Sequence, residues 1–165
     1  VELFGGKVQA LGGNVYHVCR GSVLELEGKK YLCFGGAESP DKDDREAGVN
    51  WWPQEMPSEE EYDNALENLK NADFKVDYII THTAPSETVY YLSTLRSLGI
   101  KNDVVQERQL TIFLDEIQRK VTYKHWYFGH FHVDLELWRN QTALLSCVRE
   151  LETGKVVRQW DPYEG

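Results

Sequence analysis

The segment Trp126-Tyr127-Phe128-Gly129-His130-Phe131-His132 constrains this chain more than any other. An apolar aromatic run of this kind reads as a short buried strand. It stops on a glycine and hands over to two histidines at i and i+2. Side chains two apart on extended backbone share a side, and a loop bending just past a strand end aims both the same way. Two imidazoles so placed are able to share a metal cluster. The plainer alternative is a surface turn that contains histidine.

A second segment has the same design. Asp77-Tyr78-Ile79-Ile80-Thr81 is apolar and β-branched, and His82-Thr83-Ala84-Pro85 follows it. Alone, His82 would read as a satisfied core histidine. In open α/β sheets, however, sites form outside the carboxyl ends of strands, and here two strands deliver histidine to that edge. His82, His130 and His132 are therefore the expected metal ligands.

The Thr-His-Thr-Ala-Pro element at 81–85, followed by Gly129-His130-Phe131-His132, resembles the second half of the calcineurin-like metallophosphoesterases. The resemblance covers most of the chain. It implies an α/β fold, a layered α-β-β-α sandwich of two sheets faced by helices. It also implies metal-dependent phosphoester hydrolysis at a site of two divalent ions (manganese, iron or zinc). By the same resemblance His82 and His130 would bind one ion and His132 the other.

The family also carries Asp-x-His, Gly-Asp-x-x-Asp and Gly-Asn-His elements N-terminal to these, and none of them stands in this chain. Gly13-Asn14-Val15-Tyr16-His17 comes nearest, but its histidine lies three positions after the asparagine, so it reads as an ordinary strand start. The chain opens on Val1, and Met56 is its one methionine. It reads as a single domain over 1–165, the C-terminal part of a longer protein. On that reading this chain carries no catalytic residue of its own, and it would hold at most one ion, weakly. The sheets would lack central strands, and their exposed edges would favour self-association. The alternative is a catalytically silent interaction domain with a phosphoesterase-like surface.

Composition bounds the remaining classes. At 165 residues, 41% of them hydrophobic, the chain is long and apolar enough for a core. A net charge of −9 argues against a protein that wraps a phosphate backbone. It leaves a phosphoester substrate open, because bound cations would dominate the local field. No stretch approaches the ~20 apolar residues of a membrane span, and no secretory signal pattern opens the chain. Cys19, Cys33 and Cys147 form no Cys-x-x-Cys pair. Their odd number suggests a reducing, cytoplasmic setting, and their apolar surroundings suggest inert thiols. Asn140-Gln141-Thr142 matches a glycosylation pattern but reads as a hairpin turn.

Periodicity orders the elements. Strands are expected over 15–19, 22–26 and 31–34, the last two joined at Glu27-Gly28. Ser58 and Glu61 have capping-box spacing at a helix start, with Tyr62, Ala65, Leu66 and Leu69 as its apolar stripe. Helices are expected over 87–98 and 106–120. Strands follow over 135–138, 143–148 and 155–160, with turns at Arg139-Asn140 and Thr153-Gly154. Between strand and first helix lies a long polar stretch, 39–56, of the kind that is usually functional. Its Arg45 is a candidate to grip a substrate phosphate, and its Trp51 to stack on substrate or wall the pocket. The plainer reading is a solvated charge run (Asp41 to Arg45) and two packed tryptophans. His17 and His125 read as structural, Trp126 and Tyr127 as core. Phosphate loops, dinucleotide fingerprints and nucleophile elbows are absent from the sequence.

Overall fold

Residues 1–39, 42–95 and 108–161 are described by the structure, a computed structural model. Glu27 and Gly28 both adopt positive φ, 52° and 72°. Consecutive positive φ values match the twist of a tight hairpin. They join β4 (Ser22–Leu26) to β5 (Lys29–Phe34) with Leu26 opposite Lys29. Upstream, β1 (Glu2–Leu3), β2 (Gly6–Gly12) and β3 (Val15–Val18) form a three-stranded antiparallel sheet. The pattern anticipates β3 but not β1 or β2.

Helix α1 (Glu59–Asn71) starts at the expected box: Ser58 Oγ accepts from the Glu61 amide, and the Glu61 carboxylate accepts from the Ser58 amide. The chain then runs through β6 (Tyr78–Thr81), α2 (Ser86–Thr94), α3 (Arg108–Lys120) and β7 (His125–Phe128). It continues through β8 (Leu135–Leu137), β9 (Gln141–Ala143), β10 (Cys147–Arg149) and β11 (Val156–Gln159).

The main sheet has six strands in the order β4-β5-β6-β7-β9-β8. Its four central strands are parallel, and the edge strands β4 and β8 run antiparallel to them. Phe34, Thr81, Phe128 and Ala143 stand side by side in register at one edge, so four chain segments leave the sheet together there.

One face of the sheet packs on the helices. Leu32, Phe34, Ile79, Trp126 and Phe128 join Ala65 and Leu69 of α1, Val89 and Leu92 of α2, and Leu110, Leu114 and Ile117 of α3 in one apolar cluster. Phe34, Tyr62 and Phe113 form its aromatic centre, with ring centroids 4.7–5.6 Å apart. Each such side chain stabilises by about 1.5–3 kcal/mol when fully buried. On the other face Tyr31 stacks on Tyr78 and His125 on Tyr127. The β10–β11 hairpin covers part of that face, where the Tyr127 hydroxyl reaches the Leu151 carbonyl and Lys29 pairs with Glu152.

The chain is therefore a mixed α/β domain over its described residues, as expected at that level. Several elements differ. The second helix ends at Thr94 with Leu95 as its C-cap, and its expected last turn, 96–98, lies outside the described residues, as do 106–107 of the third helix. The single strand expected over 143–148 is instead two, β9 and β10, in different sheets. The cause is local: the Asp134 carboxylate captures the amides of Leu145 and Ser146 and bends the chain between them. The 39–56 stretch holds short 3-10 turns at Lys42–Asp44 and Pro53–Glu55; its Asp41 lies outside the described residues. All three cysteines are half-buried and free; burial pushes the Cys33 thiol up to about 11, which suits an inert group. No helix among the described residues is long and apolar enough to cross a membrane.

Candidate metal centre

The site is built at the carboxyl edge of the parallel strands. At the end of β6, the Thr81 hydroxyl accepts from the Trp126 indole N–H at 2.8 Å and donates to the Thr83 carbonyl at 2.5 Å. That buried chain of bonds closes a tight turn around His82. Thr83 and Ala84 are sealed inside, while His82 is left exposed. A polar residue at the end of an apolar strand is thus part of the site's frame. Its signal in the sequence is slight, because threonine is an ordinary strand residue.

At the end of β7 the chain turns at once. Phe131 N–H donates to the Gly129 carbonyl at 2.8 Å, closing a three-residue turn on His130. His130 has φ 67° and His132 φ 52°, both in the left-handed region. A non-glycine residue held there costs of order 1–3 kcal/mol and persists only where its surroundings over-determine it. Phe131, between the two, is 4% exposed and anchors the loop against Phe128 and His130, with ring centroids at 5.7 and 5.1 Å. The two histidines are therefore presented by a strained loop plugged into the core, not by the regular alternation of a strand.

The two strand ends meet. The Gly129 amide donates to the His82 carbonyl at 3.1 Å, and the His82 and His130 rings lie with centroids 5.1 Å apart at 64°. The 5.1 Å separation is that of an edge-to-face ring pair, and two imidazoles sharing an ion would have a similar one. With metal–nitrogen bonds of ~2.0–2.1 Å, two imidazoles at a near-tetrahedral angle place their ring centres roughly 5 Å apart. A pair of nitrogen donors from adjacent strands also suits zinc, manganese or iron in its donor chemistry.

His132 follows on the same loop and is exposed. Among the described residues no group of three or more His, Cys, Asp or Glu side chains is gathered closely enough to hold an ion. The structure thus brings His82 and His130 together, and His132 follows two residues after His130 on the same loop.

Arg45 and Trp51 belong to the loop that leaves the sheet after β5. The Trp51 indole donates to Glu55 at 2.8 Å and lies under Lys42, whose ammonium is 4.9 Å from the ring centroid. Arg45 donates to the Asn50 carbonyl at 3.1 Å. These contacts tie both side chains within their own loop. The two structural histidines stand apart from the pair. His125 is half-buried, 2.8 Å from the Thr142 hydroxyl, and burial lowers its pKa, with Arg149 acting in the same direction and Glu136 against it. His17 is exposed on β3.

One residue that closes the histidine loop carries little mark in the sequence. Asp134 accepts from the Leu145 amide (2.8 Å), the Ser146 amide (3.0 Å), the Ser146 hydroxyl (2.6 Å) and the Cys147 thiol (3.0 Å). Burial alone would raise its pKa. The bonds from Leu145, Ser146 and Cys147 outweigh that and hold it at about 2. The available signal was an acid two residues past the second histidine.

Comparison of the chain with protein-family models, with curated proteins and with solved structures yields no match.

Proposed function

We propose that this chain contributes histidine ligands to the site of a metal-dependent phosphoester hydrolase. The observation that supports it is the convergence of His82 and His130, 5.1 Å apart, at the carboxyl ends of adjacent parallel strands. Their surroundings fit the role. Thr81 and Trp126 fix the His82 turn, and the buried Phe131 plug fixes the orientation of His130. Exposure of His82 and His132 leaves this edge open to a charged substrate. When bound, divalent ions would supply charge for the phosphoryl group and a more acidic water. His82 and His130 would hold one ion, and His132, on the same loop as His130, would reach toward a second. Arg45 and Trp51 are the proposed substrate contacts, on the loop that shares this edge.

The test is titration of the chain with Mn²⁺ and Co²⁺ by calorimetry. His82→Ala and His130→Ala should each weaken binding by at least roughly tenfold, since even outer-shell changes cost that much. His125→Ala should leave binding unchanged. Equal effects of His130→Ala and His125→Ala would remove the site, and the silent interaction domain would then be the better reading. Hydrolysis of a chromogenic phosphodiester by this chain with Mn²⁺ should be slight, because a general acid worth about 10²–10⁴-fold in rate is not among these histidines.

A further inference from the structure

We infer that Asp134 is the positioning residue of the histidine loop, latching it to the segment that leaves β9 and so holding His130 and His132 in their left-handed conformations. The chain leaves β7, crosses the end of β9, takes the sheet edge as β8 and returns as β9 between them. The loop from Gly129 to Asp134 therefore lies over the end of β9. Two contacts fasten it there. The Leu144 amide donates to the Phe128 carbonyl at 2.8 Å at the loop's start. The four bonds to the Asp134 carboxylate close it at the other end.

The latch explains two features at once. It interrupts the strand expected over 143–148, since the amides of Leu145 and Ser146 point at the carboxylate instead of a neighbouring strand. It also fixes both ends of a loop whose two histidines sit where L-residues rarely stay. Phe131, seated in the core, pins the middle of the same loop. A carboxylate is suited to this task because both its oxygens accept, and charge-assisted bonds are the stronger kind.

The metal arm of the test rests on the reading of His82 and His130 as ligands, and the conformational arm does not. In the chain without added metal, the Cα shifts and three-bond amide couplings of His130 and His132 report their positive φ. Asp134→Ala should abolish that signature while the Trp126 indole resonance, set by its bond to Thr81, stays in place. Asp134→Asn, isosteric but with one acceptor oxygen, should fall between. Co²⁺ affinity should drop roughly tenfold in Asp134→Ala. Ser146→Ala removes the hydroxyl bond alone and should cost about threefold. If Asp134→Ala does not fold, Ser146→Ala decides: partial loss of the signature supports the latch, and no change overturns it. Unchanged couplings and unchanged Co²⁺ affinity in Asp134→Ala would overturn the proposal. Wild-type chain that shows the signature but binds no Co²⁺ would sink the metal reading and leave the latch intact.

Discussion

A histidine's surroundings decide what it is able to do, and the five histidines here separate on that ground. His82 and His130 are held at neighbouring strand ends, joined by the Gly129 amide to His82 carbonyl bond, with their rings 5.1 Å apart. His125 is held the opposite way, stacked 4.3 Å from Tyr127 and bonded to Thr142 on the face of the sheet away from the helices. Burial disfavours its imidazolium, so its folded pKa lies below the ordinary 6.5. As pH falls through 6.5, the unfolded chain takes up this proton first. Stability is thus fully present above 6.5 and declines below it, until the folded form is protonated too. The urea midpoint of the wild-type chain should therefore be lower at pH 5.5 than at pH 7.5. His125→Gln should flatten that slope, and identical slopes would show that His125 is not buried as described. The left-handed backbone at His130 and His132 is not marked in the sequence, because the packing of Phe131 and the bonds to Asp134 that help to impose it come from the fold.

Elements follow local chemistry where the determinants lie within a few residues, and escape it where they come from elsewhere in the chain. The capping box at Ser58 and the hairpin at Glu27-Gly28 are legible because each is complete in itself. Strand β2 is not: its Gly-Lys-Val-Gln-Ala-Leu-Gly sequence is mostly exposed and offers one β-branched residue, so pairing with β3 and the fold behind it must define it. The break between β9 and β10 is likewise imposed by Asp134, more than ten residues away. The junction of β4 with α1 is another tertiary determinant, and it is sharp. Asn64 and Asn68 of α1 donate to the carbonyls of Arg20 and Gly21, and Arg20 pairs with Glu61. Gly21 has φ +80°, and a Cβ there would stand 2.8 Å from the Ala65 backbone nitrogen. Gly28 has a similar φ of +72° with nothing within 4 Å. Gly21→Ala should therefore cost at least ~2 kcal/mol, from strain plus overlap with helix backbone. Gly28→Ala should cost only about 1 kcal/mol, the backbone term alone. Equal losses in urea denaturation would mean that α1 shifts freely away from β4.

At the scale of the molecule, the sheet is covered unequally, and adjacent residues of β6 report it. Parallel strands are ordinarily buried on both faces. Here Ile79 is 0% exposed against the helices, while Ile80, next in the chain and central in the sheet, is 40% exposed. The β10–β11 hairpin shields Tyr127, at 5%, but not its neighbour in register. An apolar run such as Tyr78-Ile79-Ile80-Thr81 reads as buried on both sides, so the uneven cover was not legible from it. It becomes visible only from the layers: among the described residues, α1, α2 and α3 lie on one face of the main sheet and a short hairpin on the other. The consequence is a pair of variants with opposite outcomes. Ile79→Ala removes a fully packed side chain and should cost about 2–5 kcal/mol. Ile80→Thr keeps the β-branch on a half-open face and should stay below ~1 kcal/mol. Urea denaturation of the two variants beside wild type measures both. If Ile80→Thr proves as costly as Ile79→Ala, this face is covered in solution, and sedimentation of the wild-type chain would then separate a second copy of the chain from an internal layer.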